Sequence, residues 1–167
     1  MRVAILTISD AASRGERTDT SGPAAAEWAA ARGDTVSARA VVPDDTLAIV
    51  RQLLTWCDDD VADLVLTTGG TGLSPRDVTP EATRAVIQRE APGIAERLRS
   101  QTGADVARAA LGRGIAGVRA RTLIVNLPGS PRAVRECLDV LSPIASHAVQ
   151  ILRGDPTDHS PATGNAQ

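Results

Sequence analysis

Residues Leu64–Thr79 read LVLTTGGTGLSPRDVT, and this stretch decides the fold. It opens with an apolar run of the kind found in buried parallel strands. It closes at Thr79-Pro80-Glu81, which is typical of a helix start, because Thr favours the N-cap, Pro the first helical position and an acid the first turn. The stretch therefore predicts a strand, a glycine-rich turn and a helix.

The turn carries residue types that suit an anionic ligand. Glycine permits backbone conformations and close approaches that other residues cannot make, and successive amides in such a turn form an anion-binding concavity. Hydroxyl side chains beside the glycines add donors. The candidate ligand contacts of this turn are Thr68, Gly69, Gly70, Thr71, Gly72 and Ser74. As bare structure, the same glycines would serve only to turn the chain tightly.

An acid, Asp77, stands at the exit of the turn. A carboxylate beside a bound phosphate is electrostatically unfavourable unless a cation lies between them. Oxygen ligands from carboxylates and phosphates are those that Mg²⁺ takes in proteins. The sequence therefore predicts a Mg²⁺ ion at this turn.

Outward from the turn, apolar segments alternate with helical patterns, which predicts an α/β protein, a three-layer sandwich with a mostly parallel sheet. The predicted strands are Val3–Ile8, Thr35–Val42, Val61–Thr68 and Thr122–Asn126. Ligands of such folds bind outside the carboxyl ends of the strands. Three further polar groups follow strands and are candidates for that edge: Ser9 with Asp10, Asp44, and the segment Asn126, Pro128, Gly129 and Ser130.

Capping patterns place the predicted helices. One begins at Thr20 or Ser21, one follows Asp44-Asp45-Thr46 with three possible N-caps, one spans Pro80–Gln88 and one spans Ile94–Ser100. Residues 101–117 are rich in Gly and Ala and receive no assignment. The last helix begins after Ser130 as N-cap, and Pro143 is expected to kink or restart it. The acidic run Asp58-Asp59-Asp60 is expected to be a solvated helix end.

Length and composition bound the remaining possibilities. With 167 residues, one domain is expected over residues 1–154, followed by a disordered polar tail at 155–167. The net charge of −2 argues against a nucleic-acid surface. No apolar run is long enough to span a membrane, and no signal peptide is expected because Met1-Arg2 leads directly into a strand. Cys57 and Cys137 are expected to be reduced core thiols. These features predict a cytoplasmic protein.

All of the 18 basic residues are Arg, so the chain has no Lys. This excludes a Walker A lysine, a Schiff-base lysine and a covalent lysyl-adenylate. Phe and Tyr are also absent, and only Trp28 and Trp56 could stack on a base. Any adenine is therefore expected to lie against aliphatic side chains and Pro.

The motif TTGGTG followed by RDVTPE resembles the signature of the MogA/MoaB family, the molybdopterin-binding proteins of molybdenum-cofactor biosynthesis. Three more stretches resemble that family in order and spacing: TISDAASRG at 7–15, VVPDD at 41–45 and NLPGSP at 126–131. The resemblance covers about residues 2–154. The chain departs from the pattern at Leu111-Gly112-Arg113, where the family usually has Leu-Ser-Arg, so a hydroxyl is missing.

The resemblance implies a reaction: transfer of AMP from Mg-ATP to molybdopterin, giving adenylylated molybdopterin and pyrophosphate. Asp44 and Asp77 are then the catalytic carboxylates and hold Mg²⁺. The turn 69–74 would cradle ligand, while Ser9, Asp10 and residues 126–130 would complete the pterin and nucleotide pockets. The resemblance further implies a homotrimer and a downstream molybdenum-insertion protein as partner.

Two other functions stay open on the sequence. The same fold serves as a non-catalytic pterin-binding module in MoaB-type relatives, and a related domain occurs in nucleotide pyrophosphatases. The spacing from TGGTG to Asp77, together with Asp44, favours the transferase.

Overall fold

The computed structural model describes residues 1–102 and 106–154. In this described part of the chain, six strands form one sheet: β1 (Arg2–Ile8), β2 (Thr35–Val42), β3 (Leu64–Thr68), β4 (Arg89–Glu90), β5 (Ala116–Arg119) and β6 (Thr122–Leu127). The helices within these residues are α1 (Asp10–Ser13), α2 (Ser21–Ala31), α3 (Thr46–Asp58), α4 (Thr79–Val86), α5 (Pro92–Gln101), α6 (Val106–Ala109) and α7 (Pro131–Arg153). The predicted tail at 155–167 lies outside the described residues.

The sheet is mixed, with the strand order β2-β1-β3-β6-β5-β4. The first four strands of that order are parallel, and β5 and β4 are antiparallel additions at the β6 side. The mostly parallel α/β sheet predicted from the sequence is confirmed. Because β2, β1, β3 and β6 point the same way, the turns that follow them meet at one edge of the sheet.

Two hydrophobic cores lie on opposite faces of this sheet. Helices α2, α5 and α7 cover one face, where Ile5, Leu66 and Leu138 are buried. Helices α3 and α4 cover the other, where Leu6, Leu53 and Val65 are buried. Successive residues of β1 and β3 alternate between these cores, as strands buried on both faces require. This is the three-layer sandwich that the sequence predicts.

Two features of the secondary structure differ from what the sequence predicts. The short antiparallel strands β4 and β5 were not assigned, since each is defined by a pairing partner that follows it in sequence, β5 for β4 and β6 for β5. Pro143 does not restart the last helix, which runs without interruption over Pro131–Arg153. Among the described residues, no helix is both long and apolar enough to cross a membrane.

The acidic run after α3 is not simply solvated. Asp58 binds the guanidinium of Arg119, and Asp60 lies 2.6 Å from Nη2 of Arg153. The neighbouring Arg153 and Arg2 guanidinium groups lower the pKa of Asp60 to about 2. The run thus ties the amino-terminal edge of the sheet to the end of α7 through charge contacts.

The cysteines and tryptophans are core residues. Cys57 and Cys137 are free and buried, and burial raises the pKa of their thiols to about 11 and about 12. Trp56 is buried under the sheet, and Trp28 packs against α7, where its indole N–H donates to Ser142 Oγ over 2.8 Å. Neither tryptophan lines the cleft described below, so neither is placed to stack on a ligand there.

Candidate functional site

The glycine turn after β3 has a backbone that other residues cannot adopt. Gly69 and Gly70 have φ angles of +94° and +62°, in the left-handed region. A Cβ at Gly69 would lie 2.3 Å from the carbonyl oxygen of Ile8, and one at Gly70 would lie 2.3 Å from Thr79 Oγ1. The turn therefore needs glycine for both conformation and contact.

Thr79 connects this turn to α4, but not as the predicted cap. The residue before the helix is Val78, which makes no side-chain cap. The buried Thr79 hydroxyl donates instead to the carbonyl of Gly69 over 2.9 Å, and the Thr79 amide donates to the carbonyl of Gly70 over 3.1 Å. Thr79 satisfies the carbonyls of the turn, and the turn and helix are thereby fixed to each other.

The structure decides between the possible caps of α3. Asp45 is the N-cap, and its Oδ1 accepts a hydrogen bond from the amide of Ala48 over 2.8 Å. The carboxylate of Asp44 therefore does not cap α3. It lies beside the glycine turn instead, and its Oδ1 would be 3.1 Å from a Cβ placed on Gly70.

Asp44 lies in surroundings that oppose its charge. It is half-buried, and burial raises the pKa of its carboxyl group, with further increases from the nearby Asp10 and Asp77 carboxylates. The hydrogen bond from the Asp10 amide and the charge of Arg76 act in the other direction. Three carboxylates thus gather around the turn, which is an arrangement that a bound cation would stabilise.

Asp77 closes the turn on itself. Its Oδ2 accepts from the amide of Ser74 over 2.9 Å, and the Asp77 amide donates back to the Ser74 carbonyl over 2.9 Å. The same Oδ2 would lie 2.9 Å from a Cβ on Gly72, so a side chain there would displace the Asp77 carboxylate. Asp77 and Asp44 therefore lie near different glycines of one turn.

Asp10 and Ser9 have internal partners. The guanidinium of Arg76 binds Asp10 with Nε and Nη2 over 2.7–3.1 Å, which lowers the pKa of that carboxyl group. Ser9 Oγ accepts from the amide of Ala12 and caps α1. Both residues lie at the predicted edge, but their side chains are engaged in contacts within the protein, Asp10 with Arg76 and Ser9 with the amide of Ala12.

Two other candidates are buried structural contacts. Thr68 has no solvent exposure, and its hydroxyl pairs with that of Ser21 over 2.7 Å. Asn126 Nδ2 donates to the hydroxyls of Thr67 and Thr83, both over 2.9 Å, and its Oδ1 accepts from the amide of Ile115. Asn126 therefore joins β3, β6 and α4, a role that the strand-end pattern did not reveal.

The turn after β6 lies directly beside the glycine turn. Ser130 caps α7 as predicted, its Oγ accepting from the amide of Ala133 over 3.2 Å. A Cβ on Gly129 would lie 3.3 Å from the Cα of Gly69, so the two turns touch backbone to backbone. This contact joins the two predicted ligand-binding segments into one surface.

A cleft of about 790 Å³ opens beside these turns. The predicted site residues that line it are Gly70, Thr71, Gly72, Asp77, Asn126, Pro128, Gly129 and Ser130. The others, which lie outside its lining, are Ser9, Asp10, Asp44, Thr68, Gly69 and Ser74. The far walls come from α5, α7 and residues 108–112, and they contribute Arg99, Arg108 and Arg132. A cleft with arginines opposite a glycine turn suits an anionic ligand of substantial size.

The sequence reasoning missed Arg113. Its amide donates to the carbonyl of Thr71 over 2.9 Å, its Nε to that of Gly72 over 2.7 Å and its Nη2 to that of Asp77 over 2.5 Å. Its guanidinium also pairs with Glu81 of α4. The only sequence signal was the Leu111-Gly112-Arg113 stretch, whose departure from the family pattern lies at Gly112 and not at Arg113.

Within the described ranges, no three His, Cys, Asp or Glu side chains cluster in the manner of an all-protein metal cage. A Mg²⁺ site built from one or two carboxylates and substrate phosphates does not need such a cage. Asp44 and Asp77 are the two carboxylates that the sequence predicts for such a site.

The strand order, the glycine turn and the adjoining cleft define an α/β protein of the class whose ligands bind outside the carboxyl ends of parallel strands. Residues 4–147 match the family model described as the probable molybdopterin binding domain. The chain belongs to this family, and the resemblance found in its motifs is confirmed.

Individual relatives agree with this assignment. The molybdopterin adenylyltransferase of Helicobacter pylori (strain J99 / ATCC 700824) is 38% identical over 157 residues, which cover 93% of this chain and 89% of that protein. The molybdenum cofactor synthesis protein cinnamon of Drosophila melanogaster is 39% identical over 171 residues, covering 98% of this chain but only 28% of that longer protein. The crystal structure of the molybdopterin biosynthesis enzyme MoaB from Thermus thermophilus superposes with a TM-score of 0.87 at 50% identity, over 93% of this chain and 98% of that one.

Proposed function

We propose that this protein transfers AMP from Mg-ATP to molybdopterin, releasing adenylylated molybdopterin and pyrophosphate. The observation that carries the proposal is that the Asp44 carboxylate, from the loop after β2, and the Asp77 carboxylate both lie beside one glycine turn, next to a cleft large enough for an anionic ligand. The similarity to proteins named molybdopterin adenylyltransferase over most of their length supports the same reaction.

The residues present fit a Mg²⁺ ion. Asp44 and Asp77 offer hard carboxylate oxygens, the donors that Mg²⁺ prefers. Burial and two neighbouring carboxylates raise the pKa of Asp44, so a positive charge placed there would relieve the repulsion. Asp44 and Asp77 would hold the ion. When bound, it would supply neutralisation of the charge on the nucleotide phosphates.

The chain's own groups provide binding and orientation. The amides of the turn 70–72 and the Thr71 hydroxyl offer donors for phosphate oxygens, while the arginine-bearing walls of the cleft attract the anionic pterin substrate. In the reaction, a terminal phosphate oxygen of molybdopterin forms a bond to the α-phosphorus of ATP. The bond from that phosphorus to the bridging oxygen breaks, and its electron pair leaves with pyrophosphate. Such transfer depends mainly on positioning and charge neutralisation.

Transfer is direct in this proposal, without a covalent enzyme–AMP. The chain has no lysine to carry AMP. His147 is exposed on the last helix and is not among the residues that line the cleft. A homotrimer and a molybdenum-insertion protein as downstream partner complete the proposal and rest on the family resemblance alone. The cytoplasmic location is proposed from the sequence features given above.

The test is to mix the protein with Mg-ATP and molybdopterin and to follow AMP-linked pterin and pyrophosphate by mass spectrometry. The transferase proposal expects both products in equal amounts, and only when all three components are present. Release of AMP and pyrophosphate without pterin would indicate the pyrophosphatase-like alternative. Pterin binding without any turnover would indicate the binding module.

A further inference from the structure

We propose that Arg113 is the positioning residue of the site: it fixes the carboxylate of Asp77 by holding the carbonyls of the turn that carries it. This inference rests on the proposed function for its effect on turnover, but its structural part concerns the chain alone.

Arg113 reaches both ends of the turn that bears Asp77. Its amide and Nε bind the carbonyls of Thr71 and Gly72 at the start, and its Nη2 binds the carbonyl of Asp77 at the end. One guanidinium therefore spans the segment from Gly72 to Asp77. Because the planar guanidinium has its donors in a fixed geometry, it sets the separation of the two carbonyls that it binds.

Glu81 holds the guanidinium in place. It pairs with Arg113 from the first turn of α4, and the hydrogen bond from Arg113 lowers the pKa of the Glu81 carboxyl group. Thr79, at the start of the same helix, binds the carbonyls of Gly69 and Gly70. Helix α4 and Arg113 thus hold the turn from two sides.

The other contacts of residues 72–77 connect Asp77 to the rest of the fold less directly than Arg113 does. Leu73 is exposed, and the hydrogen bonds between Ser74 and Asp77 are local to the turn, so they define its shape without joining it to the sheet. Arg76 does reach Asp10, but its side chain is exposed and solvent screens the pair. Arg113 instead binds main-chain carbonyls of the segment, and it immediately precedes the residues that enter β5.

Arg113 is not among the residues that line the cleft, although Gly112 and Gly114 on either side of it are. Its effect must therefore pass through the turn rather than through direct contact with a ligand in the cleft. Displacement of reacting groups by about 1 Å can cost on the order of 100-fold in rate. Loss of Arg113 should accordingly lower kcat and leave KM for ATP little changed.

The chain offers a matched control in Arg119. It binds Asp58 with Nε and Nη2 and the carbonyl of Val86 with Nη1, at 2.7–3.1 Å, and its side chain is 21% exposed against 35% for Arg113. Both arginines pair with one carboxylate and bind backbone carbonyls. Arg119 lies outside the cleft lining, and its partners belong to other parts of the fold than the turn.

The experiment compares Arg113→Met, Arg119→Met and the parental protein by amide hydrogen exchange and by kinetics. We expect the amides of Ser74 and Asp77 to exchange faster in Arg113→Met only, and kcat to fall by about 10- to 100-fold in that variant only. Unchanged exchange at these amides in Arg113→Met would overturn the proposal, whatever the activity.

Two further variants keep the inference testable if Arg113→Met does not fold. Arg113→Lys retains one donor and should recover part of the exchange protection and part of kcat, and Glu81→Gln should show a weaker change in the same direction. Normal exchange in both would count against the positioning role. If the parental protein makes no AMP-linked pterin, the proposed function fails, while the exchange data still decide whether Arg113 holds the turn.

Discussion

Asp10 and Asp44 hold each other by two reciprocal hydrogen bonds. The amide of Asp10 donates to Asp44 Oδ2 over 2.8 Å, and the amide of Asp44 donates to Asp10 Oδ1 over 3.1 Å. This pair joins the end of β1 to the end of β2, and Arg76 links it onward to the glycine turn. The carboxylate of Asp44 is thereby held toward Gly70 although two adjacent acids oppose its charge.

Loss of the Asp44 or the Asp77 carboxylate should strongly lower turnover without unfolding the protein. We expect Asp44→Asn and Asp77→Asn each to bind pterin and to lose roughly 10²–10³ in rate, the usual cost of an electrostatic contact made in the transition state. Steady-state kinetics with Mg-ATP and molybdopterin measures the effect, and circular dichroism checks the fold.

Asp45 is the control for this prediction, because it caps α3 and does not point to the turn. Asp45→Ala should cost about 0.5–2 kcal/mol of stability and leave the rate unchanged. Parental turnover in Asp77→Asn would show that the transferase proposal for this turn is wrong.

The Asp44→Asn variant should be more stable than the parental protein at pH 7 without Mg²⁺. Burial raises the pKa of folded Asp44 above its ordinary value of 3.8, so the folded state binds more protons than the unfolded state between these two values. Stability therefore falls as pH rises through that window, and the charged form is unfavourable above it. Asn carries no charge, so the variant avoids the unfavourable free energy of the charged, partly buried Asp44 carboxylate.

Thermal unfolding across pH measures this stability difference. The advantage of Asp44→Asn should be full at pH 7 and shrink as pH falls toward 3.8, the ordinary carboxyl value. Mg-ATP should raise Tm in the parental protein more than in the variant, because binding to the folded state stabilises it. A variant less stable than the parental protein at pH 7 would contradict the prediction.

Gly70→Ala should damage both stability and turnover. A Cβ there would lie 2.3 Å from Thr79 Oγ1 and 3.1 Å from Asp44 Oδ1, at a φ of +62°. We expect a loss of more than about 1 kcal/mol in the free energy of unfolding, together with a displaced Asp44.

Gly93→Ala is the matched control, since a Cβ at Gly93 meets no heavy atom within 4 Å and the residue lies in α5. It should be neutral or slightly stabilising, because Ala favours helix. Urea denaturation compares the two variants, and equal stabilities would mean that the turn can relax around a side chain.

Asn126→Ala should mainly lower the stability of the folded protein. The substitution leaves the hydroxyls of Thr67 and Thr83 and the amide of Ile115 without their Asn126 partner in a buried region. Each buried group left unsatisfied costs about 1–3 kcal/mol. Denaturant unfolding should show a large loss, and a variant with parental stability but weakened pterin binding would restore Asn126 to the predicted ligand contacts.

Local sequence patterns were enough to predict the four parallel strands, their sheet and the edge at which the polar turns meet. These follow from local patterns: apolar runs, glycines at a turn, and Pro at the first helical position. Gly69, Gly70 and Asp77 were singled out in this way because they belong to one continuous segment between a strand and a helix.

Only the tertiary structure decided which polar atoms remain available to a ligand. Arg76 binds Asp10 across 66 positions of sequence, and Arg113 binds the carbonyl of Gly72 across 41. Thr79, Thr68 and Asn126 likewise use their side chains on partners set by the packing of the sheet and helices. Such pairings leave no mark on local periodicity, because the energy that selects them arises only when distant segments are brought together.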